Sequence, residues 1–260
     1  MCAFFHIIRY ILKRQGSEEM AILTIKDLDF SYHSPQGETK ALTDINLTVN
    51  EGEFISIVGP SGCGKSTLLS IIAGLTPVTG GFFVNNATIG YMLQRDHLFE
   101  WRTIYDNVIL GLEIKKILTH ENIERVNRLL ERDGLEAFKD KRPSELSGGM
   151  RQRAALIRTL ALNPDILLLD EPFSALDYQT RLRVSDDIGE IIKEEKKTAL
   201  LVTHDLSVAI AMGDRIVVLS ERPGTIKKII DIDFGSLSPL ERRNAPEFQE
   251  YFHELWRCFS

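Results

Sequence analysis

The sequence predicts an α/β fold built on a mainly parallel sheet, with two additions to that core. Continuous apolar runs at 166–170 (ILLLD), 198–204 (TALLVTH) and 215–220 (RIVVLS) have the pattern of strands buried on both faces, and helical stretches alternate with them. Alternating apolar and polar residues at 21–49 predict an antiparallel β subdomain. Helical spacing without strand signals over about 95–162 predicts a helical subdomain inserted into the core.

The elements are expected in the following order. ILTIKDLDFSY and INLTV are predicted as antiparallel strands, and the turn-rich HSPQGETK is predicted as the loop between them. FISIV (54–58) is a buried strand, STLLSIIAGL a helix, and FFVNNATIGYML a return to strand. The inserted subdomain contains three predicted helices: IYDNVILGLEI, HENIERVNRLLERDGL and MRQRAALIRTLAL.

Length and composition predict one large domain with subdomains. The 260 residues carry a net charge of −6 with a pI near 5.6, which argues against a nucleic-acid partner, because such proteins usually have a basic excess. We divide the chain into an N-terminal extension at 1–20, a main domain at 21–235 and a helical tail at 236–260. The three cysteines, Cys2, Cys63 and Cys258, lie far apart and show no disulfide or zinc spacing, so a reducing cytosol is expected.

Membrane segments are not predicted, because no run of 18 or more apolar residues occurs. The N-terminal MCAFFHIIRYILKRQ has its basic residues after the apolar part, which is the reverse of a signal peptide. Three interpretations of 1–20 stay open: a poorly ordered or packed extension, an artefact of start-site choice with Met20 as the true start, or an amphipathic membrane-surface segment.

A phosphate-binding loop is the strongest motif. GPSGCGKST at 59–67 has the spacing G-x-x-x-x-G-K-[ST], and it stands between a buried strand and a helix, as that motif requires. Glycines let the backbone N–H groups curl around phosphate oxygens, Lys65 should reach the β- and γ-phosphates, and Ser66 should bind Mg²⁺. The predicted nucleotide-binding residues of the loop are Gly59, Pro60, Ser61, Gly62, Cys63, Gly64, Lys65, Ser66 and Thr67.

Two adjacent carboxylates follow a buried strand in ILLLDEP. Asp170 ends the strand, so it is expected at the carboxyl edge of the sheet beside the phosphate loop, where it can hold Mg²⁺ through water. Glu171 comes next and can polarise a water molecule for attack on the γ-phosphate. The alternative is a pair of solvated turn residues, which would leave the phosphate loop without a metal partner.

A second anion-binding helix start lies in LSGGMRQR at 146–153. Ser147, Gly148 and Gly149 precede an apolar helix, so bare backbone N–H groups and the helix dipole point toward any anion placed there. Glycine would allow the backbone to approach a phosphate closely. One chain therefore carries two phosphate cradles that are far apart in sequence.

Together these motifs resemble the nucleotide-binding subunit of an ABC transporter. GPSGCGKST, LSGGMRQR, ILLLDEP, SALD and VTHD occur in the order found in that family, over about residues 21–225. The resemblance implies the ABC ATPase version of the P-loop NTPase fold, with an antiparallel β subdomain and an inserted helical subdomain. It also implies ATP hydrolysis, with ATP and Mg²⁺ as the bound groups.

The resemblance assigns roles to further residues. Tyr32 is similar to the aromatic residue that stacks on adenine, and Gln94 to the glutamine that senses Mg²⁺ and the attacking water. His204 is similar to the switch histidine that contacts the γ-phosphate. The loop from Ser174 to Asp177 is similar to one that crosses to a partner subunit. The catalytic set is thus Glu171, His204 and Gln94, and the metal set is Ser66, Gln94 and Asp170.

The family resemblance also explains the two cradles. Two copies of the domain are expected head to tail, so that each ATP lies between the phosphate loop of one copy and Ser147–Gly149 of the other. The implied partners are a second copy, a transmembrane permease and, indirectly, a solute-binding protein. The implied location is the cytoplasmic face of the cell membrane, as a peripheral subunit.

A narrower resemblance concerns importers of nitrate, sulfonates, taurine and related small solutes. QRDHLFEWRTIYDNV and VVLSERPGTI are similar to segments of that group, and Trp101 is expected at the contact with the permease rather than in the core. The stretch 80–94 is shorter than is usual there and lacks a loop before the last strand. The alternatives are a soluble ABC ATPase serving DNA repair, cluster assembly or translation, and a phosphate-loop kinase, which would leave LSGGMRQR and VTHD without a purpose.

Overall fold

The computed structural model of the chain describes residues 21–35, 37–78, 80–85 and 87–259. Its strands, numbered in chain order, are β1 Ala21–Ser34, β2 Gly37–Asn50, β3 Phe54–Val58, β4 Phe82–Asn85, β5 Ile89–Met92, β6 Ile166–Asp170, β7 Thr198–Val202, β8 Arg215–Leu219 and β9 Ile226–Asp231. The predicted extension at 1–20, with its three interpretations, lies outside the described residues.

The large sheet has the strand order β5-β6-β7-β3-β8-β9. Every neighbouring pair is parallel except β8 and β9, which are antiparallel. Strands β3, β6 and β7 are buried along their whole length, as their continuous apolar sequences predict. The strand β9 was not predicted, because its sequence IKKIID exposes both lysines at the sheet edge and lacks an apolar run.

The small sheet is antiparallel, with the order β2-β1-β4. The pairing of β1 and β2 runs as far as Ser34 and Gly37, so the loop predicted at HSPQGETK is wrong: most of it continues the two strands. The turn-forming residues do not end the strands there, because a long hairpin can extend through polar sequence once its inner residues are anchored. Leu28 and Ile45 share a hydrophobic cluster with Leu68 of the first helix, which ties this sheet to the core.

The segment FFVNNATIGYML does not form one strand. β4 pairs with β1 in the small sheet, whereas β5 pairs with β6 in the large one, so the chain changes sheets between them. A single β-rich sequence cannot reveal this change, because both halves have strand composition and the choice of sheet depends on distant partners.

The helices are α1 Lys65–Ile72, α2 Ile104–Lys115, α3 His120–Arg132, α4 Gly148–Leu160, α5 Tyr178–Glu194, α6 Leu206–Met212, α7 Pro239–Asn244 and α8 Glu247–Arg257. Side-chain oxygens of Thr103, Thr119 and Ser147 accept backbone N–H bonds at the starts of α2, α3 and α4. These three helices, predicted as the inserted subdomain, bury Val108, Leu130 and Leu156 in one shared cluster.

The C-terminal segment packs on the large sheet through α6. Phe248 and Leu255 of α8 lie in one cluster with Ala209 and Ile210, and the buried Arg242 donates to the carbonyls of Ala211 and Gly213 at 3.3 and 3.0 Å. The predicted helical character of the tail is confirmed as two helices. Across the residues the structure describes, none of the helices is long and apolar enough to span a bilayer.

Candidate functional site

The loop at 59–67 leaves the buried strand β3 and turns directly into α1. Gly62 and Gly64 have φ angles of 76° and 107°, in the left-handed region that glycine adopts at little cost. A Cβ on Gly64 would lie 2.6 Å from Leu42 Cδ2 and 3.0 Å from the Ala41 carbonyl oxygen. The loop can therefore take this shape only with glycine at position 64.

The side chain of Lys65 bonds back to the first two residues of the loop. Its Nζ donates to the carbonyl oxygens of Gly59 and Pro60, at 2.8 and 2.9 Å, and the residue is buried. Its ammonium group is held by these two carbonyls, and none of the described carboxylates forms an ion pair with it, so the positive charge is available for an anionic ligand.

A pocket opens over this loop. Four groups of side chains meet there: the phosphate loop, the small sheet, the ends of β5 and β6, and the loop after β8. Its lining residues are Tyr32, Ala41, Ser61, Gly62, Gly64, Lys65, Ser66, Thr67, Gln94, Asp170, Glu171 and Arg222.

Three of the predicted loop residues lie outside this lining. Gly59 packs tightly, since a Cβ there would come within 2.8 Å of Cys63 Sγ, and Pro60 contributes its carbonyl to Lys65. Cys63 is fully buried, and burial raises the pKa of its thiol, so the sulfur stays protonated and unreactive. These residues shape the loop from behind and do not face the pocket.

Ser66 and Asp170 meet as the sequence predicted. Ser66 Oγ donates to Asp170 Oδ1 at 2.9 Å, and Tyr91 Oη donates to Asp170 Oδ2 at 3.3 Å. Burial raises the pKa of Asp170, and the Glu171 charge adds to this effect, while the two hydroxyl donors oppose it. Burial and the charge of Asp170 also raise the pKa of Tyr91 to about 12, so Tyr91 remains a donor at neutral pH.

Glu171 and His204 form a pair at the edge of the pocket. His204 Nδ1 lies 3.2 Å from Glu171 Oε2, and the side chains are 57% and 21% exposed respectively. The Glu171 backbone has φ 45°, an uncommon conformation for a residue other than glycine, and its N–H donates to the Val202 carbonyl at 2.9 Å. This turn at the end of β6 carries a strain of about 1–3 kcal/mol, and Glu171 lines the pocket together with Asp170.

Tyr32 and Gln94 reach the pocket from different elements. Tyr32, on β1, has its hydroxyl 3.0 Å from Thr67 Oγ1, and its ring packs edge-on against Phe30 with centroids 4.9 Å apart. The side chain remains 46% exposed, so a ring face is free for stacking. Gln94 follows β5 and lines the pocket together with Asp170.

Ser147, Gly148, Gly149 and Asp177 do not line this pocket. Ser147 Oγ caps α4 by accepting from Met150 N at 3.4 Å, and Asp177 Oδ1 caps α5 by accepting from Thr180 N at 3.0 Å. Within one chain, the two predicted cradles are separate.

Gly149 differs from the expectation that both glycines serve close phosphate approach. It is buried, and a Cβ on it would lie 2.9 Å from Val184 Cγ2 of α5. The absence of a side chain at 149 is therefore needed for packing between α4 and α5. Gly148, in contrast, is exposed, and its nearest contact would be the flexible end of Leu176 at 3.1 Å.

The segment after Gln94 is bound to α4. Arg151 makes two hydrogen bonds to the Asp96 carboxylate, Nε to Oδ2 at 2.9 Å and Nη2 to Oδ1 at 3.2 Å. Arg158 donates to the backbone carbonyls of Asp96 and His97 at 2.6 and 2.7 Å. These contacts hold the segment that follows Gln94 against α4, the helix that begins at the predicted second cradle.

The same segment presents an aromatic pair to solvent. Trp101 is 72% exposed and lies 4.8 Å from the Phe99 ring, centroid to centroid. The buried Asn107 holds the segment in place: its Oδ1 accepts from Phe99 N at 2.7 Å, and its Nδ2 donates to the carbonyls of Phe99 and Thr103 at 3.1 and 2.8 Å. The expectation that Trp101 is not a core residue agrees with this exposure.

The sheet order, the loop after β3 and the carboxylates after β6 define an α/β nucleotide-binding protein of the phosphate-loop class. Residues 42–174 match the family model described as ABC transporter. The chain belongs to this family, as one of its ATP-binding subunits. The predicted fold class and the predicted enzyme class, an ATPase, are confirmed by this membership.

Similar proteins share nearly the whole chain. The ABC transporter ATP-binding protein YtlC of Bacillus subtilis, itself named as uncharacterized, is 48% identical, over 92% of this chain and 95% of that one. The taurine import ATP-binding protein TauB of Roseobacter denitrificans is 39% identical (91% and 95%), and the nitrate import ATP-binding protein NrtD of Synechocystis is 38% identical (90% and 93%).

Solved structures confirm the fold. The dimeric structure of the bacterial ABC transporter cassette MJ0796 is 33% identical and superposes with a TM-score of 0.69, over 82% of this chain and all of that one. A second structure of the same protein, 32% identical with the same TM-score and coverage, shows a dimer in a post-hydrolysis state bound to ADP and Pi.

Sequence reasoning missed Ala41 and Arg222 of the pocket lining, and also Tyr91, which lies outside the lining and bonds to Asp170. Tyr91 could have been noticed because it stands three residues before Gln94, but its contact with Asp170 depends on the pairing of β5 with β6. Arg222 lies in the segment VVLSERPGTI, which was used only to assign a subfamily, and no spacing rule links it to the phosphate loop.

Proposed function

We propose that this chain is the ATP-hydrolysing subunit of an importer for a small solute of the taurine, sulfonate or nitrate type. The observation that carries the proposal is the single pocket in which the phosphate loop, the Ser66–Asp170 pair and Glu171 meet, with His204 against Glu171. The solute class is supported by the names of relatives that match nearly the whole chain.

Lys65 and the loop backbone bind the phosphates of ATP in this proposal. The ammonium group exchanges its carbonyl partners for phosphate oxygens, which are stronger acceptors because they are charged. Gly62 and Gly64 leave room for the backbone to approach. Tyr32 offers its exposed ring to adenine, at the side of the pocket that holds Thr67.

Mg²⁺ fits the oxygen atoms that meet in the pocket from the start of α1, the end of β6 and the residue Gln94 after β5. Ser66 provides a hydroxyl, Asp170 a carboxylate and Gln94 an amide, and Mg²⁺ is usually held by one or two carboxylates together with substrate phosphates. When bound, the ion would neutralise the charge that develops on the β- and γ-phosphates. Tyr91 orients the Asp170 carboxylate by its hydrogen bond.

Glu171 acts as the general base for hydrolysis. It accepts a proton from a water molecule, the water oxygen bonds to the γ-phosphorus, and the bond from that phosphorus to the β–γ bridging oxygen breaks to leave ADP and phosphate. His204 holds the Glu171 carboxylate from the outer side and can contact the γ-phosphate. The strained turn at Glu171 keeps the carboxylate at the pocket edge before substrate arrives.

A second copy completes each site. Ser147 and Gly148 are exposed at the start of α4 and face no nucleotide of their own chain, so a head-to-tail partner is the arrangement in which they could bind one. Asp177, at the start of α5, would stand in the loop that crosses to the partner. The structure of a related cassette as a dimer supports this assembly.

The partner in the membrane is a permease that contacts Trp101 and Phe99. An exposed aromatic pair on a firmly held segment is typical of a surface that binds another protein. The subunit would then lie on the cytoplasmic face of the membrane as a peripheral protein, and a solute-binding protein would act on the permease and not on this chain.

The domain organisation belongs to the same proposal. Residues 21–235 form the ATP-binding domain, with the helical subdomain at about 95–162, and residues 236–260 form a tail. The tail does not stand apart, because Phe248 and Leu255 pack against α6 of the main domain. Its removal would expose part of that cluster.

Solute uptake by whole cells tests this function. A strain lacking the gene should lose uptake of radiolabelled taurine, an alkanesulfonate or nitrate. The wild-type gene should restore this uptake, and the Lys65→Ala variant should not. Co-purification of a permease with the wild-type chain is expected. Unchanged uptake of all three solutes would contradict the solute class, and ATP hydrolysis by a chain that captures no permease would favour a non-transport ABC ATPase.

A further inference from the structure

Arg222 lies in the nucleotide pocket but has no part in the hydrolysis described above. It stands in the connection between β8 and β9, at residues 220–225 (SERPGT), and its side chain is exposed on the pocket lining. Among the residues that the structure describes, it has neither a hydrogen bond nor an ion-pair partner. A guanidinium group with five unused donors therefore faces a site built for a polyanion.

The loop that carries Arg222 is firmly attached to the phosphate loop and to β2. Gly224 N donates to the Ala41 carbonyl and Thr43 N donates to the Gly224 carbonyl, both at 2.9 Å. Gly224 is buried, and a Cβ there would collide with the Cys63 carbonyl oxygen. Arg222 is thus only two residues from a point where the loop touches the back of the phosphate loop.

Its neighbours hold the loop shape as well. Ser220 Oγ accepts from Thr225 N at 3.0 Å and donates to the carbonyl of Glu221 at 2.9 Å or to that of Pro223 at 3.3 Å. The backbone on both sides of Arg222 is therefore fixed by hydrogen bonds within the loop. Only the side chain itself is left to move toward a ligand.

The sheet order determines from which side Arg222 approaches. The phosphate loop follows β3, which lies between β7 and β8. Asp170 and Glu171 follow β6, beyond β7, whereas Arg222 follows β8 on the other side. Arg222 is therefore placed away from the carboxylates that act at the γ-phosphate, on the side where Ala41 lines the pocket.

We propose that Arg222 is a nucleotide-binding residue whose guanidinium group pairs with the α-phosphate and ribose end of the bound nucleotide. This inference rests on the proposed function, because it assumes that ATP occupies the pocket. A contact at that end is made equally with ATP and ADP and does not change as the γ-phosphate is transferred. Such uniform binding alters affinity and KM, and it leaves kcat unchanged.

Nucleotide affinity of the purified chain tests the assignment. Arg222→Ala should weaken binding of both ATP and ADP about tenfold, which corresponds to about 1.4 kcal/mol. The two losses should be equal within error, and the deficit should shrink at high salt because the contact is ionic. Hydrolysis at saturating ATP should stay at the wild-type rate. Arg222→Lys should recover part of the affinity, since it keeps the charge but lacks the planar fork.

Three control variants separate this effect from others. Glu221→Ala changes the adjacent exposed side chain of the same loop, and Lys115→Ala removes a positive charge at the distant end of α2; both should bind ATP as the wild type does. Lys65→Ala should lose most ATP binding. Melting temperatures close to that of the wild type for the Arg222 variants would show that the loop still folds.

The outcomes distinguish a failure of the proposed function from a failure of the role of Arg222. The proposed function would be refuted if the wild-type protein did not bind ATP, or if the Lys65→Ala variant bound ATP as tightly as the wild type. Lys65-dependent binding that is unaffected by Arg222→Ala would refute only the role of Arg222. A loss for ATP without a loss for ADP would place the guanidinium at the γ-phosphate, and a fall in kcat alone would make it a hydrolysis residue; either result overturns the assignment.

Discussion

At the scale of single residues, the contact between His204 and Glu171 joins two motifs that lie 33 positions apart in the chain. Neither residue is deeply buried, and Glu171 owes its position to a left-handed turn directly after β6. Glu171 thus lines the same pocket as the phosphate loop. The proposed base is positioned by backbone geometry before any substrate binds.

Glu171→Gln should retain ATP binding and lose most hydrolysis. The amide has nearly the same shape but cannot accept the proton of the attacking water, and loss of a positioned base costs about 10²- to 10⁴-fold in rate, or about 3–5 kcal/mol of barrier. Steady-state phosphate release and ATP affinity measure the two effects. The variant should also elute as a dimer in ATP on a sizing column, and hydrolysis near the wild-type rate would move the base role to His204.

Asp170 should make Mg²⁺ binding in the pocket depend on pH. Mg²⁺ requires the ionised carboxylate, and burial raises the Asp170 pKa above its ordinary value. Protons therefore compete with the metal at a higher pH than they would at an exposed carboxyl group. As pH falls through this raised pKa, Mg²⁺-dependent ATP binding is expected to decline.

Tyr91→Phe should move this decline to higher pH. The Tyr91 hydroxyl lowers the Asp170 pKa by donating to the ionised form, so its removal raises that pKa further. One net hydrogen bond corresponds to a shift of up to about one pH unit. Titration of Mg²⁺ in an ATP-binding assay at several pH values measures the shift. An unchanged or acid-shifted midpoint would show that Tyr91 does not stabilise the carboxylate.

At the scale of elements, the segment between β5 and α2 carries the proposed contact with the permease. It is fastened to α4 through Arg151 and Arg158, and to α2 through Asn107, yet it exposes Trp101. Because the backbone is anchored on both sides, the exposure of the indole does not result from a loose loop.

Trp101→Ala should leave the melting temperature of the isolated subunit nearly unchanged. The indole is 72% exposed, whereas truncation of a buried Trp would cost about 3–5 kcal/mol. Thermal unfolding of the isolated chain and uptake by cells measure stability and coupling separately. Uptake should fall while the ATPase activity of the isolated subunit persists.

Asn107→Ala is the matched control, in the helix α2 that anchors this segment. It leaves the Phe99 and Thr103 backbone groups without their buried partner, so it should reduce stability by about 1–3 kcal/mol. If Trp101→Ala lowered the melting temperature as much as Asn107→Ala does, Trp101 would be a packing residue and the permease contact would lose its main support.

At the scale of the whole molecule, the two phosphate cradles lie on different elements and do not share a pocket within one chain. Lys65 belongs to the loop before α1, while Ser147 and Gly148 open α4 in the helical insert. A site that uses both must combine two copies. Under the proposed head-to-tail assembly, hydrolysis requires the dimer and not the single chain alone.

Mixing two inactive variants tests this assembly. Lys65→Ala damages the phosphate loop, and Gly148→Asp places a carboxylate at the second cradle. Gly148 is the better position than Gly149, because a side chain at 149 would clash with Val184 and disturb the fold. Each variant alone should be nearly inactive. A mixed dimer contains one site with both lesions and one with neither, so the mixture should recover measurable hydrolysis, well below the wild-type rate.

An inter-chain cross-link provides an independent measurement for the same dimer. Ser61→Cys on one chain and Ser147→Cys on the other should cross-link in ATP, with the native cysteines replaced. If neither hydrolysis nor cross-linking between chains were observed, the shared site would be untenable. If the cysteine variants cross-link in ATP but the mixture of the two inactive variants does not hydrolyse it, closure of the dimer for hydrolysis would need two intact nucleotide sites.

The sequence by itself determined the phosphate loop, the carboxylates after β6 and the helices of the insert, whereas the second cradle at Ser147–Gly149 stays a prediction. These features are local: glycine spacing, an apolar run that ends in Asp170, and helical periodicity are all readable within a short window. The family followed from the order of the motifs. The strands β3, β6 and β7 were predicted for the same reason, because burial on both faces leaves a continuous apolar signal.

Only the tertiary structure decided how distant segments meet. It divided 82–92 between two sheets, added β9 at the edge, brought Tyr91 to Asp170 and Arg222 to the pocket, and showed that Gly149 serves helix packing. The physical reason is that each of these contacts joins segments whose own sequences fit several arrangements. Their energies depend on which neighbour is present, and that neighbour is set by the whole folded chain.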